Sequence, residues 1–149
     1  MPDLLYLEDL PEGRRFESRE ATLDADAIIA FARAFDPQPF HTDPEAAEAS
    51  FFRGLAASGW HTAAFTMRLL VESLPIAGGL IGAGAEITWP HPTRPGDRLR
   101  VASTIDRNIP SRSRPDRGSI VLTSETLNQN GETVQRIVSR MVVPRRPTG

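Results

Sequence analysis

The feature that most narrows the fold is one apolar helix with only strand-like sequence after it. From Trp60 to Leu74, the residues Ala63, Ala64, Phe65, Met67, Leu69, Leu70, Val71 and Leu74 occupy most of a helix's circumference. A helix that is apolar on most sides is expected to be buried on most sides. This one would be about 22 Å long, and Pro75 with the Gly78-Gly79 pair ends it. Glu86-Ile87-Thr88-Trp89 then precedes Pro90 and Pro92, which confine that strand's pairing to an end or edge of a sheet. Leu99, Val101, Ser103 and Ile105 alternate with Arg100, Ala102 and Thr104, the two-residue period of a half-buried strand. Ile120 to Leu127 and Val134 to Val143 read as two further strands, with Asn130-Gly131 between them as a strong hairpin signal. The pattern predicts an α+β domain in which an antiparallel sheet wraps a long central apolar helix.

Ahead of this unit, Asp24 is a good N-cap for a helix carrying Ile28, Phe31, Ala32 and Phe35 on one stripe. Pro37 disfavours helical geometry at Asp36, which should end that helix. Asp43-Pro44-Glu45 reads as the start of the next, with Asp as N-cap and Pro in the first turn. Asp36-Pro37-Gln38-Pro39-Phe40-His41 is therefore read as a proline-stiffened loop holding a carboxylate and an imidazole five residues apart. The preceding helix's negative end, and any burial, would oppose ionisation of Asp36. The following helix's positive end would oppose protonation of His41. Such a pair can share one water as a general base and its hydrogen-bonding partner. Spacing alone also suits plain capping and turn roles. Phe51 and Phe52 fit a core or an acyl-lined pocket equally well.

The run Asp36-x-x-Pro39-Phe40-His41-x-Asp43, followed by Ser58-Gly59 entering a long apolar helix, resembles the MaoC-like dehydratases. That family includes the (R)-specific enoyl-CoA hydratases of the hotdog fold. The resemblance runs through Arg94-Pro95-Gly96-Asp97 to the C-terminal hairpin and implies one hotdog domain over residues 1–149. It departs from the family where Gln38 replaces a common Asn, Phe35 a frequent Gly, and Ser58 a frequent His. What it implies is reversible addition of water to a trans-2-enoyl-CoA thioester, giving a 3-hydroxyacyl-CoA. Asp36 and His41 would grip the water. The Gly59 N–H, at a helix's positive end, would receive the charge that develops on the thioester oxygen. Gln38, Phe40, Ser58 and Trp60 would contact substrate. No cofactor is expected beyond the coenzyme A carried by the substrate, and the assembly would be a homodimer or higher homo-oligomer. A thioesterase on the same scaffold, or a non-catalytic acyl-CoA-binding module, is the alternative.

The remaining signals mostly exclude. A net charge of −2 offers no global attraction for nucleic acid or an anionic membrane. Arg107, Arg112, Arg114 and Arg117 outnumber Asp106 and Asp116 in one loop, where Arg112 and Arg114 could meet the coenzyme's phosphates. A solvated hairpin tip is an equally good reading, and the loop lacks the interleaved aromatics that stack bases. There is no cysteine, so thiolate chemistry is excluded. His41, His61 and His91 fall on different elements without metal-ligand spacing, so no metal is expected. His61 reads as a hydrogen-bonded structural residue. Ser58 lacks a nucleophile-elbow context and reads as an N-cap. Met1-Pro2-Asp3 carries no basic leader, and no apolar run approaches a membrane span, so a cytoplasmic protein is expected.

Overall fold

Three long strands carry the architecture. A computed structural model describes residues 3–148; Met1 and Pro2 of the leader reading lie outside the described residues, as does Gly149. The strands are β1 (Arg15–Glu17), β2 (Ala21–Leu23), β3 (Ile81–Thr88), β4 (Asp97–Pro110), β5 (Arg117–Leu127) and β6 (Thr133–Pro144). They form one antiparallel sheet in the order β1-β4-β5-β6-β3, with β2 also paired to β4. Along β4 the inward positions Leu99, Val101, Ser103 and Ile105 are all buried, as the alternation predicts. Ser103 stands opposite Ser124, and their hydroxyls meet at 2.9 Å, so the one polar pair in this inner row is satisfied.

The β5–β6 hairpin forms where Asn130-Gly131 predicts it, but as a longer turn. Asn128 and Glu132 close the ladder, and the Gly131 N–H donates to the Asn128 carbonyl at 3.0 Å. Only Gly131 takes a left-handed φ, 76°. A two-residue type I′ turn needs two such residues, whereas this three-residue loop needs one.

The α-helices among the described residues are, in chain order, α1 (Ala25–Phe35), α2 (Pro39–Thr42), α3 (Pro44–Glu48) and α4 (Gly59–Ser73). The central helix α4 turns His61, Thr62, Thr66, Leu69 and Leu70 inward. Leu69 and Leu70 pack on Val101, and the Thr66 hydroxyl meets that of Thr126 at 2.6 Å. The expectation of burial on most sides is not met. Trp60, Ala64, Met67 and Val71 are exposed on the opposite face, Val71 at 55%. A sheet against one face covers only that face in a single chain. Among the described residues β3 pairs only with β6, and seven of its eight residues are exposed. Its position at the edge agrees with the prolines that follow it.

Candidate active site

Two carboxyl-to-helix-end junctions build this region. Asp24 caps α1, accepting from the Ala27 N–H, and Ile28 and Ala32 bury its inner face. At the other end the Asp36 N–H donates to the Ala32 carbonyl at 2.8 Å, so Asp36 is the C-cap, as Pro37 predicts. Within the loop expected to start at Asp36, Pro39–Thr42 instead forms the single helical turn α2, which Pro39 starts because its missing N–H costs nothing there. That turn swings His41 inward, where it is 5% exposed. Asp43 caps α3 through Oδ1, as expected.

His41 Nδ1 lies 2.6 Å from the Ala56 carbonyl. A carbonyl only accepts, so Nδ1 carries the proton and Nε2 faces the other way. Nε2 is 3.4 Å from Asp36 Oδ2. Asp36 accepts two hydrogen bonds: the Ser58 hydroxyl donates to Oδ2 at 2.7 Å, and the Gln38 amide donates to Oδ1 at 2.6 Å. Ser58 also caps α4, accepting from the Trp60 N–H, so one hydroxyl ties the carboxylate to the helix start. Burial pushes the Asp36 carboxyl up, but the hydrogen bonds from Ser58 and Gln38 outweigh it and hold it below the usual range. This reverses the direction expected from burial and the α1 dipole, because bonds to the charged form dominate at short range.

These groups border a cleft of about 680 Å³ lined by Asp36, His41, Phe51, Phe52, Gly59, Trp60, Thr62, Trp89, Arg94 and neighbours. Its size suits a small-molecule ligand. Phe51, 93% exposed, and Phe52 thus face the cleft, not the core. A glycine at position 59 leaves room beside the backbone in the first turn of α4. In the structure, the Trp89 indole takes that space, and a Cβ at Gly59 would lie 2.7 Å from its Cε2. Trp89 in turn donates from its ring N–H to Gln135 Oε1 and meets Trp60 edge-on.

Of the residues singled out from sequence, Asp36, His41, Gly59 and Trp60 line the cleft, and Gln38 and Ser58 stand behind Asp36. Phe40 packs edge-on to His41 and against Phe52, on the core side. Arg112 and Arg114 are not brought together with the site. β4 begins three residues past Arg94 and leads away for roughly 40 Å before the tip that carries them. Both are exposed there, while Arg117 is paired with Asp116. His61 is also corrected. Its ring stacks on Phe31 at 4.5 Å, and its buried Nδ1 has no hydrogen-bond partner among the described residues. Sequence reading missed Thr62, Trp89, Thr93 and Arg94. Trp89 to Arg94 reach the cleft only by crossing over the start of α4, where the Thr93 carbonyl accepts from the Ala57 N–H at 2.9 Å. Among the described residues no three of His, Cys, Asp and Glu cluster as a metal site requires. No helix among them is long and apolar enough to cross a membrane.

A MaoC-like domain matches residues 9–126, and the chain belongs to that family, with its hotdog fold. It is similar to the crystal structure of a MaoC-like dehydratase from Rhodospirillum rubrum, at 61% identity and a TM-score of 0.95, over 97% of this chain and 99% of that one. It is 32% identical to the uncharacterized protein YdeM of Bacillus subtilis, covering 84% of this chain and 89% of that protein. An (R)-specific enoyl-CoA hydratase of Rhodospirillum rubrum is 25% identical over 73% of this chain and 75% of its own.

Proposed function

We propose that this protein catalyses reversible hydration of a trans-2-enoyl-CoA thioester to the 3-hydroxyacyl-CoA. The observation that carries the reading is the approach of Asp36 Oδ2 and His41 Nε2 to 3.4 Å at a cleft. With Nδ1–H committed to Ala56, the neutral ring offers a lone pair at Nε2, and the ionised Asp36 offers another acceptor beside it. A water donating to both turns its oxygen toward the substrate. As that oxygen bonds to C3, the C2=C3 electrons move toward the thioester, whose oxygen gains negative charge. The Gly59 N–H, in the first turn of α4, stabilises that charge. Asp36 takes one proton from the water and the pair returns it to C2, so a single water supplies both hydroxyl and hydrogen. The low pKa of Asp36 suits the return step, since its protonated form is a strong donor. The aromatic lining from Phe51, Phe52, Trp60 and Trp89 gives the acyl thioester an apolar wall.

The active assembly is a homodimer. Supporting it are the unpaired edge of β3, whose exposed backbone groups can pair with another strand, and the apolar outer face of α4. Sedimentation of a purely monomeric protein at micromolar concentration would remove this part of the reading.

The activity test follows crotonyl-CoA by enoyl absorbance and free thiol together. Hydration consumes the double bond and releases no thiol. Asp36→Asn should abolish turnover while far-ultraviolet circular dichroism stays unchanged. Thiol release would instead indicate a thioesterase, and binding without turnover an acyl-CoA-binding module.

A further inference from the structure

The connection between β3 and β4 holds a cation whose bonding fits none of the roles above. Arg94 borders the cleft, yet no carboxylate pairs with its guanidinium among the described residues. Its Nη1 donates to the Gly54 carbonyl at 3.0 Å and the Leu55 carbonyl at 3.3 Å, and its Nη2 donates to the Phe52 carbonyl. Three of five guanidinium N–H groups are thus spent on one stretch of backbone. That stretch is strained, because Arg53 sits in the left-handed region at φ 55° without being glycine. Arg94 is itself fixed: its N–H donates to Asp97 Oδ2 at 2.8 Å, and the Gln129 amide donates to Oδ1 of the same buried carboxylate.

The next carbonyl along the clamped stretch belongs to Ala56, the acceptor for His41 Nδ1–H. The Ala56 N–H donates to the Phe40 carbonyl at 3.1 Å, and the Ala57 N–H to the Thr93 carbonyl. We infer that Arg94 is a positioning residue for His41: by clamping residues 52–55 it aims the Ala56 carbonyl at Nδ1 and so keeps Nε2 turned toward Asp36. The catalytic consequence rests on the hydratase reading, whereas the coupling between Arg94 and the imidazole does not. Two guanidinium N–H groups remain without a partner among the described residues, so direct contact with a substrate anion is the competing role that the test must separate.

The test uses Arg94→Met and Arg94→Lys in the full chain. The protein has three histidines, so long-range proton–nitrogen spectra resolve each ring's tautomer. In the parent, His41 is expected as the Nδ1–H form. In Arg94→Met it becomes a tautomer mixture while His61, stacked on Phe31, keeps its signals. The same variant loses kcat by about 100-fold with KM for crotonyl-CoA held within about twofold, the result of a misaimed group rather than a lost contact. Arg94→Lys, with a single ammonium in place of the fork, falls between. An unchanged His41 tautomer in both variants overturns the inference. So does a rise in KM at constant kcat, which would make Arg94 a substrate contact. Concerted change of His41 and His61 signals in both variants also overturns it, by showing a general role in the fold. A parent without hydratase activity defeats the proposed function alone, and the spectra still decide the positioning role.

Discussion

Where β4 turns into β5, the packed side chains are Leu7, Leu10, Leu74, Ile76, Ile105, Ile120, Leu122, Met141 and Val143, with no ionisable group among them. At the other end of the same strands, the buried residues include His41, Ser58, Thr62, Thr93, Asp97, Thr126 and Gln135. Both ends bury side chains, but they depend on geometry to different degrees. The apolar end contributes stability that depends on volume and little on geometry. At the polar end these residues depend on hydrogen-bond partners, as His41 does on the Ala56 carbonyl and Ser58 on Asp36, so their chemistry depends on geometry and is easily lost. Separating the two lets strained, partnered groups sit at one end of a sheet that the other end holds together.

The largest effect that tests this division is Asp36→Asn, with kcat for crotonyl-CoA falling by about 10³-fold while the melting curve stays cooperative. Its counterpart at the apolar end is Leu122→Ala. That change should cost about 3 kcal/mol of unfolding free energy, measured by denaturant titration, and leave kcat and KM as they were below the melting range. If Leu122→Ala lowers kcat while folded, the two ends are coupled and the division fails.

Gly59→Ala probes the contact where indole meets helix. The added methyl must displace Trp89, so about 1–3 kcal/mol of stability should be lost and kcat should fall as well. Intact indole fluorescence with intact kinetics would show that the wall yields freely.

The pH dependence sharpens the electrostatic side. The folded pKa of Asp36 is depressed, so its ionised form stabilises the fold above the unfolded value of about 3.9. That contribution is lost as pH falls through the lower folded value. Ser58→Ala removes a donor to the carboxylate, so the acid limb of the kcat profile should move to higher pH and the stability gained above pH ~4 should shrink. An unmoved limb would mean that Ser58 does not hold the carboxyl down.

The smallest effect concerns His61. Burial lowers its pKa, so the folded chain resists the proton that the unfolded chain accepts below about pH 6.5. The parent should therefore lose stability as pH falls below that value. His61→Leu should remove this loss and gain about 1 kcal/mol by deleting an unpartnered Nδ1. Thermal melts at pH 5 and pH 7.5 compare the two.

Much of this was legible in one dimension. The cap at Asp24, the stop at Asp36, the cap at Asp43 and the strand alternation from Leu99 to Ile105 rest on local sterics and period, and each lies where its residues predict. The exposed face of α4 was not legible, because apolar residues on a helix declare that they need cover without saying whether the same chain supplies it. Nor was the clamp by Arg94, which spans about 40 residues to reach the Phe52–Leu55 carbonyls and has no local signature.

The sequence by itself determined α1, α4, the strands β4 to β6, the caps at Asp24 and Asp43 and the candidate pair Asp36 and His41, since propensity, capping and short spacing act over a few residues. Tertiary structure alone decided that the carboxyl's pKa falls instead of rising, that the Trp89 indole covers Gly59, and that Arg112 and Arg114 stand far from the cleft. Those outcomes depend on which distant segment comes within 3 Å, and hydrogen bonds and van der Waals contacts fall off too steeply with distance for sequence spacing to stand in for it.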